Sequence, residues 1–155
     1  INDISLIDDE VWIGANTGLF IYSNTNPQLF TAADYGRKTF PEHLFDVTAI
    51  GKYNRIVYLA CREGIVKINL DEREWELSFQ SVIYRNQNVH SLAVNDMFIF
   101  LGTNEGLVRI NKKNGLVRDY DFPFIGSIRD IVLQENLLWI GSDNGLIKFK
   151  WKKDF

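Results

Sequence analysis

The chain repeats itself four times, and this repetition constrains its fold more than any other feature. The segments Val11 to Tyr22 (VWIGANTGLFIY), Val57 to Ile68 (VYLACREGIVKI), Ile99 to Ile110 (IFLGTNEGLVRI) and Leu138 to Phe149 (LWIGSDNGLIKF) align without a gap. Each has an aromatic residue in second place (Trp12, Tyr58, Phe100, Trp139) and a small residue in fourth (Gly14, Ala60, Gly102, Gly141). Each also has a glycine in eighth place (Gly18, Gly64, Gly106, Gly145). Successive eighth-place glycines are 46, 42 and 39 residues apart, the size of a four-stranded propeller blade or of a helical pair repeat.

The content of each unit decides for strands. Two short runs rich in β-branched and aromatic residues flank a polar pair and a glycine, which is the composition of a hairpin whose glycine takes positive φ. A further strand precedes each hairpin, at Ile4 to Ile7, Val47 to Ile50, Val89 to Leu92 and Ile128 to Ile131. A weaker fourth strand follows it near Gln28 to Thr31, Glu74 to Phe79 and Leu116 to Tyr120. The unit is therefore a four-stranded antiparallel meander. Its nearly continuous apolar runs require cover on both faces, and stacking blade on blade around an axis supplies it. Trp12 and Trp139 read as wedges between blades rather than as a sugar platform. The small fourth residue either lets neighbouring blades approach closely or marks strand twist; close approach is the favoured reading.

The expected fold is all-β: a single β-propeller segment over residues 1–155, with four consecutive four-stranded antiparallel blades. Their approximate spans are 1–44, 45–88, 89–127 and 128–155, the last blade lacking its outer strand. Four blades is the lower limit of the roughly four to eight that close a ring. No spare strand is readable at either end, so an arc of a larger propeller is expected in preference to a closed ring of four. The stretch KFKWKK would be a sheet edge needing charge to resist pairing in isolation, and an ordinary mid-chain strand in the intact protein.

Composition removes several functions. Seventeen Lys and Arg against 20 Asp and Glu give a net charge of −3, which leaves no positive field to gather nucleic acid. Cys61 stands alone, and with only His43 and His90 it cannot furnish a structural zinc site, so neither metal nor cofactor is expected. No apolar run approaches the roughly 18 residues of a membrane helix, and the opening INDISLIDDE lacks the form of a signal peptide, so this segment is not expected to insert into a membrane. His90 and Ser91 are neighbours on a strand and point to opposite faces, so they make no nucleophile–base pair. The paired acids Asp8-Asp9-Glu10 and Asp71-Glu72 fall in turns. No catalytic residue is assigned.

Binding is better supported. The connections Ala32 to Leu44, Gln80 to Asn88 and Asp121 to Ser127 would converge at one entrance of a propeller. They carry Tyr35, Arg37, Phe40, His43, Tyr84, Arg85, Phe122 and Phe124, aromatics and cations suited to stacking on sugars and gripping anions. The second residue of each inner strand is polar (Ser5, Thr48, His90, Arg129), and these four would line the rim. The expected ligand is an oligosaccharide or another small anion, held by Arg129 and His90 with Arg37 or Arg85. The plainer alternative is that such loops are polar because they are wet. The remaining blades of the same propeller, or a second copy, are the other expected partners.

The segment VWIGANTGLFIY, and LWIGSDNGLIKF still more closely, resembles the two-component regulator propeller repeat: an aliphatic and Trp, Ile-Gly-Thr, two polar residues, Gly-Leu and an aromatic close. The preceding Val-x-x-Ile strand is similar too, so the resemblance covers nearly the whole chain. Ala60-Cys61 departs from it where Gly-Thr is expected, and the family's Asp-Gly turn between first and second strands is absent. The resemblance implies blades chained into seven-bladed propellers outside the cytoplasmic membrane, followed by a transmembrane helix and a histidine kinase or another output. It implies a non-catalytic, ligand-sensing region, often for polysaccharide breakdown products, periplasmic or extracellular and tethered to the inner membrane in the intact protein. The alternative is a protein-interaction scaffold of a surface or secretion assembly. A lyase or hydrolase propeller would need acids or histidines on the axis, where only His90 and Asp130 qualify.

Overall fold

The computed structural model describes residues 1–25, 29–31 and 46–154. Their hairpin code folds as the periodicity requires, into antiparallel meanders whose strands follow chain order. The first blade comprises β1 (Asp3–Ile7), β2 (Glu10–Ala15), β3 (Gly18–Ser23) and β4 (Leu29–Thr31). The second comprises β5 (Ala49–Tyr53), β6 (Ile56–Cys61), β7 (Gly64–Asn69) and β8 (Glu74–Gln80). The third comprises β9 (Val89–Val94), β10 (Phe98–Thr103), β11 (Leu107–Asn111) and β12 (Val117–Tyr120). The fourth has three described strands, β13 (Ile128–Gln134), β14 (Leu137–Ser142) and β15 (Gly145–Phe149), followed by a 3-10 turn, Trp151–Asp154. Two compact units result, Ile1–Ile83 with two blades and Tyr84–Phe155 with two.

The turn between the second and third strands shows why its residues recur. Gly64 and Gly106 have φ of +142° and +143°, a region open to glycine, and a Cβ on Gly106 would run into the Tyr120 carbonyl of the adjoining strand. The residue three places earlier closes the turn from the other side. Thr103 Oγ1 donates to the Gly106 carbonyl at 2.9 Å, and Ser142 Oγ to that of Gly145 at 2.9 Å. Cys61, the departure from the repeat, makes the equivalent bond through Sγ, 3.3 Å from the Gly64 carbonyl. A thiol is the weaker donor, but it preserves the closure.

The register of the first blade differs from the sequence reading. Ser5 pairs with Trp12, just as Gly51 pairs with Tyr58, Ala93 with Phe100 and Val132 with Trp139. Ser5 is therefore in the middle of its strand, and Asn2 is the counterpart of Thr48, His90 and Arg129. Apolar residues recur at Ile1, Ile4 and Ile7, so a spacing of three fits two registers. The distance to the turn glycine separates them: Asn2, Thr48, His90 and Arg129 each precede theirs by 16 residues, Ser5 by 13.

Alternation gives each blade two faces, and within each unit the first blade turns one of them, its trailing face, toward the leading face of the second. In the first unit the trailing Trp12, Leu19 and Ile21 form one core with Ile50, Val57, Leu59, Val66 and Ile68 of the second blade. In the second unit the trailing Phe100 and Leu107 do the same with Ile131, Leu138 and Ile140. Trp151 enters that core, its ring 5.4 Å from Phe100 and 5.6 Å from Phe98. Burial of each such side chain contributes about 1.5–3 kcal/mol, so blade-on-blade stacking dominates stability. The buried Trp12 agrees with its reading as a wedge.

Small fourth-place residues allow this stacking. A Cβ on Gly14 would stand 2.8 Å from the Val47 carbonyl oxygen and 2.9 Å from Val47 Cγ1. Val47 lies two residues before β5, the inner strand of the next blade. No helix among the described residues is long and apolar enough to cross a membrane.

Candidate functional site

Four segments of the second unit meet where their strands begin and turn: the start of β9, the start of β13, the turn between β14 and β15, and the connection 121–127. Asp143, in the turn, organises them. It accepts from Arg129 Nε at 2.6 Å and from Nη2 at 3.4 Å, and its second oxygen accepts from the Ser127 amide at 3.1 Å. The Asp143 amide donates back to the Ser127 carbonyl at 3.0 Å. Asn144 completes the clamp, donating from its amide to the Ile125 carbonyl at 3.1 Å and from Nδ2 to the Phe124 carbonyl at 2.8 Å. Gly126, at φ +75°, faces Asp143 so closely that a Cβ there would lie 2.9 Å from Asp143 Cβ.

This clamp holds Phe124 at φ +77° with 95% of its surface exposed. Both properties are costly: a bulky residue in the left-handed region is strained, and a fully wetted phenyl ring gains nothing from folding. His90, half-buried at the start of β9, lies within the field of the same ion pair. Burial, and then the positive charge of Arg129, push its imidazole below the usual histidine range, which favours the neutral ring. Arg129, and then the Ser127 amide, hold the Asp143 carboxyl below the usual carboxylate range. The result is an exposed ring on the connection whose backbone the clamp holds, an aromatic surface able to stack on one face of a ligand.

The other expected site residues are distributed differently. Arg129 and His90 share the cluster, but the Arg129 charge is engaged by Asp143 instead of standing free for an anion. Arg85 pairs with Asp119 at 2.5 Å and lines a separate cleft with Gln87, Glu105, Tyr120 and Asp121. Tyr84 is buried, at 2% exposure, and belongs to packing. In the first unit, Thr48 is half-buried beside Asp46, whose carboxylate accepts from Arg62 Nη2 at 2.6 Å. Asn2 donates to Asn16 Oδ1 at 2.9 Å and to the Val47 carbonyl at 3.0 Å, at the rim position that sequence reading gave to Ser5. Tyr35 and Arg37, with Phe40 and His43, lie outside the described residues. Along the chain Asp143 and Asn144 read as the polar pair of a turn, and the signal for their role is an acid 14 residues from an arginine across a strand pair whose register the glycine fixes. Among the described residues no group of three or more His, Cys, Asp or Glu is placed to hold a metal ion.

No protein-family model matches the chain, and no curated protein matches it. Solved structures do. The extracellular domain of the hybrid two component system BT3049 from B. thetaiotaomicron superposes with a TM-score of 0.79 at 18% identity, over 99% of this chain and 22% of that one. The extracellular domain of the one component system BT4673 from the same organism gives 0.73 at 19% identity, over 100% and 21%. The computationally designed protein Ika4 gives 0.69 at 15% identity, over 97% of this chain and 90% of that one. At such identities the likeness is one of fold, and the fold is that of β-propeller blades. The chain spans about a fifth of the length of the two B. thetaiotaomicron domains.

Proposed function

We propose that the chain is a segment of a larger β-propeller in the extracytoplasmic, ligand-sensing region of a bacterial signal-transduction protein, and that it binds a carbohydrate-like ligand without turning it over. The observation that carries the ligand class is the clamp at Asp143, which with Arg129, Ser127 and Asn144 holds the connection that bears the strained, solvent-exposed Phe124. A pyranose has an apolar face for the ring and vicinal hydroxyls for a guanidinium and carboxylate. A simple anion is less well served, because the Arg129 charge is balanced. The likeness to extracellular domains of two-component and one-component systems supports the sensing role and the extracytoplasmic location. A ligand would act there by favouring one packing of propeller against output module over another, to the extent of its differential affinity.

Calorimetric titration tests this reading, with neutral malto-, cello- and xylo-oligosaccharides as one set of probes and oligogalacturonides as an acidic set. Binding of a probe, weakened about tenfold or more by Phe124→Ala and by Asp143→Asn, with the sugar recovered intact, is the expected result. Equal affinity in both variants would remove the site, and cleavage of the probe would remove the non-catalytic reading.

A further inference from the structure

The backbone arrangement that bears Phe124 recurs one blade earlier. Arg85 and Phe124 each stand 21 residues before a turn glycine, Gly106 and Gly145, and both are left-handed, at φ +57° and +77°. The pairing beneath them recurs as well. The Asn88 amide donates to Asn104 Oδ1 at 3.0 Å and the Asn104 amide to the Asn88 carbonyl at 3.2 Å, as the Ser127 and Asp143 amides do in the next blade. One position thus carries a phenyl ring in the fourth blade and a guanidinium in the third.

Arg85 borders a cleft of about 170 Å³ whose lining lies wholly within the second unit. Its charge is engaged by Asp119, at 2.5 Å. Glu105 and Asp121 line the same cleft, and among the described residues neither carboxylate takes part in an ion pair or a hydrogen bond. One guanidinium against the three carboxylates Glu105, Asp119 and Asp121 leaves two negative charges unbalanced.

Exposed acids are ordinary on a wet surface, but Gln87, which also lines the cleft, is only 9% exposed. Its backbone amide donates to the carbonyl of the buried Tyr84 at 3.2 Å, and one end of its carboxamide lies 2.7 Å from Thr103 Oγ1. The other end has no hydrogen-bond partner among the described residues. A largely buried amide satisfied at one end alone costs free energy that an occupant of the cleft would recover.

We propose that this cleft is a second binding site and that it takes a small organic cation, a protonated primary amine. Glu105 and Asp121 accept from the ammonium group in charge-assisted bonds, and the free end of the Gln87 carboxamide completes the set. The volume is below the roughly 300 Å³ at which pockets begin to enclose a drug-sized ligand, so the occupant is a short alkylamine, a single aminated ring, or one such end of a longer molecule. The site is independent of the sugar reading, since Phe124, Arg129 and Asp143 are not among its lining residues.

NMR titration of the isotopically labelled 155-residue chain with cadaverine and with glucosamine tests this, with pentanediol and N-acetylglucosamine as their uncharged counterparts. At about pH 6 both amines are protonated and the carboxylates ionised. Saturable shifts at Gln87, Glu105 and Asp121 with at least one amine, absent with its uncharged counterpart, are expected. Glu105→Gln combined with Asp121→Asn, both at exposed positions that leave the fold intact, should weaken binding about tenfold or more. Gln87→Met, which keeps the side-chain length, should also weaken it, whereas Phe124→Ala should leave it unchanged. Cadaverine binding alone assigns the cleft to free polyamines and glucosamine binding alone to aminated sugars, and either supports the proposal. No saturable shift with either amine, equal shifts with the uncharged counterparts, or undiminished binding by the double variant would overturn it. So would binding lost in Phe124→Ala, which would place the amines at the Asp143 clamp instead.

Discussion

Gly102 and Ile128 touch across two blades: a Cβ on the glycine would stand 2.6 Å from Ile128 Cγ2 and closer still to Ser91 Oγ. The same relationship links Gly14 to Val47, so one stacking rule operates in both units. Gly102→Ala should therefore destabilise the chain by about 1–3 kcal/mol, because Ile128 belongs to the next strand and cannot rotate away without disturbing the core. Gly141→Ala, which adds its methyl to an open face, should be neutral within about 0.5 kcal/mol in the isolated chain. Denaturant unfolding of the two variants side by side checks the contrast, and equal losses would contradict it.

Cys61 is a buried thiol whose Sγ closes a turn. Burial pushes it up to about 12, the Gly64 carbonyl bond only partly offsetting this. Labelling by a maleimide or disulfide reagent at pH 8 should run about a thousandfold slower than for the unfolded chain. Cys61→Thr, which offers the stronger donor used at Thr103, should keep or raise the melting temperature. Fast labelling of the folded protein would show that the turn opens freely.

Acid should loosen the clamp. The folded Asp143 carboxyl lies below its ordinary 3.8, so its bonds to Arg129 and Ser127 contribute fully above that value and are lost as pH falls through the lower, folded one. The Ser127 amide resonance should thus hold steady from neutral pH down to about pH 4 and shift below it, and Asp143→Asn should abolish the shift.

His90 tests the same field from the other side. Its folded value lies below the ordinary 6.5, so the neutral ring is favoured, and that contribution to stability is present above 6.5 and fades as pH drops through the folded value. Arg129→Gln removes a positive neighbour and should move the His90 titration upward when followed by NMR. An unchanged titration would mean that the two side chains do not share a site.

The blade pattern was legible because strand and turn chemistry repeat with the backbone. Aromatic, small residue and glycine recur at fixed spacing; Trp12 and Phe100 are buried and Gly14 and Gly102 lie in close contact as the pattern implies, whereas Trp139 is only half-buried and Gly141 has no close neighbour. Side-chain pairing across a turn has no such period. Arg129 reads as a free cation along the chain, and only the fold brings Asp143, 14 residues on, to within 2.6 Å of it. Tyr84 reads as a loop aromatic open to a ligand but is buried, since a ring beside a turn gains more from the core than from water. Ser5 was placed at the rim because three isoleucines at equal spacing conceal a shift of register that hydrogen bonding resolves. Phe124 stood in the sequence as one loop aromatic among several; its positive φ and its exposure are properties of the folded clamp alone.

We propose that the clamp at Asp143 presents a sugar-binding surface. The most direct measurement is an NMR titration of the isotopically labelled chain with the neutral and acidic oligosaccharide sets. Saturable shifts confined to Phe124, Ser127, Arg129, Asp143, Asn144 and His90, and absent in Phe124→Ala, are the predicted result. Shifts that map elsewhere, or persist unchanged in the variant, would contradict it.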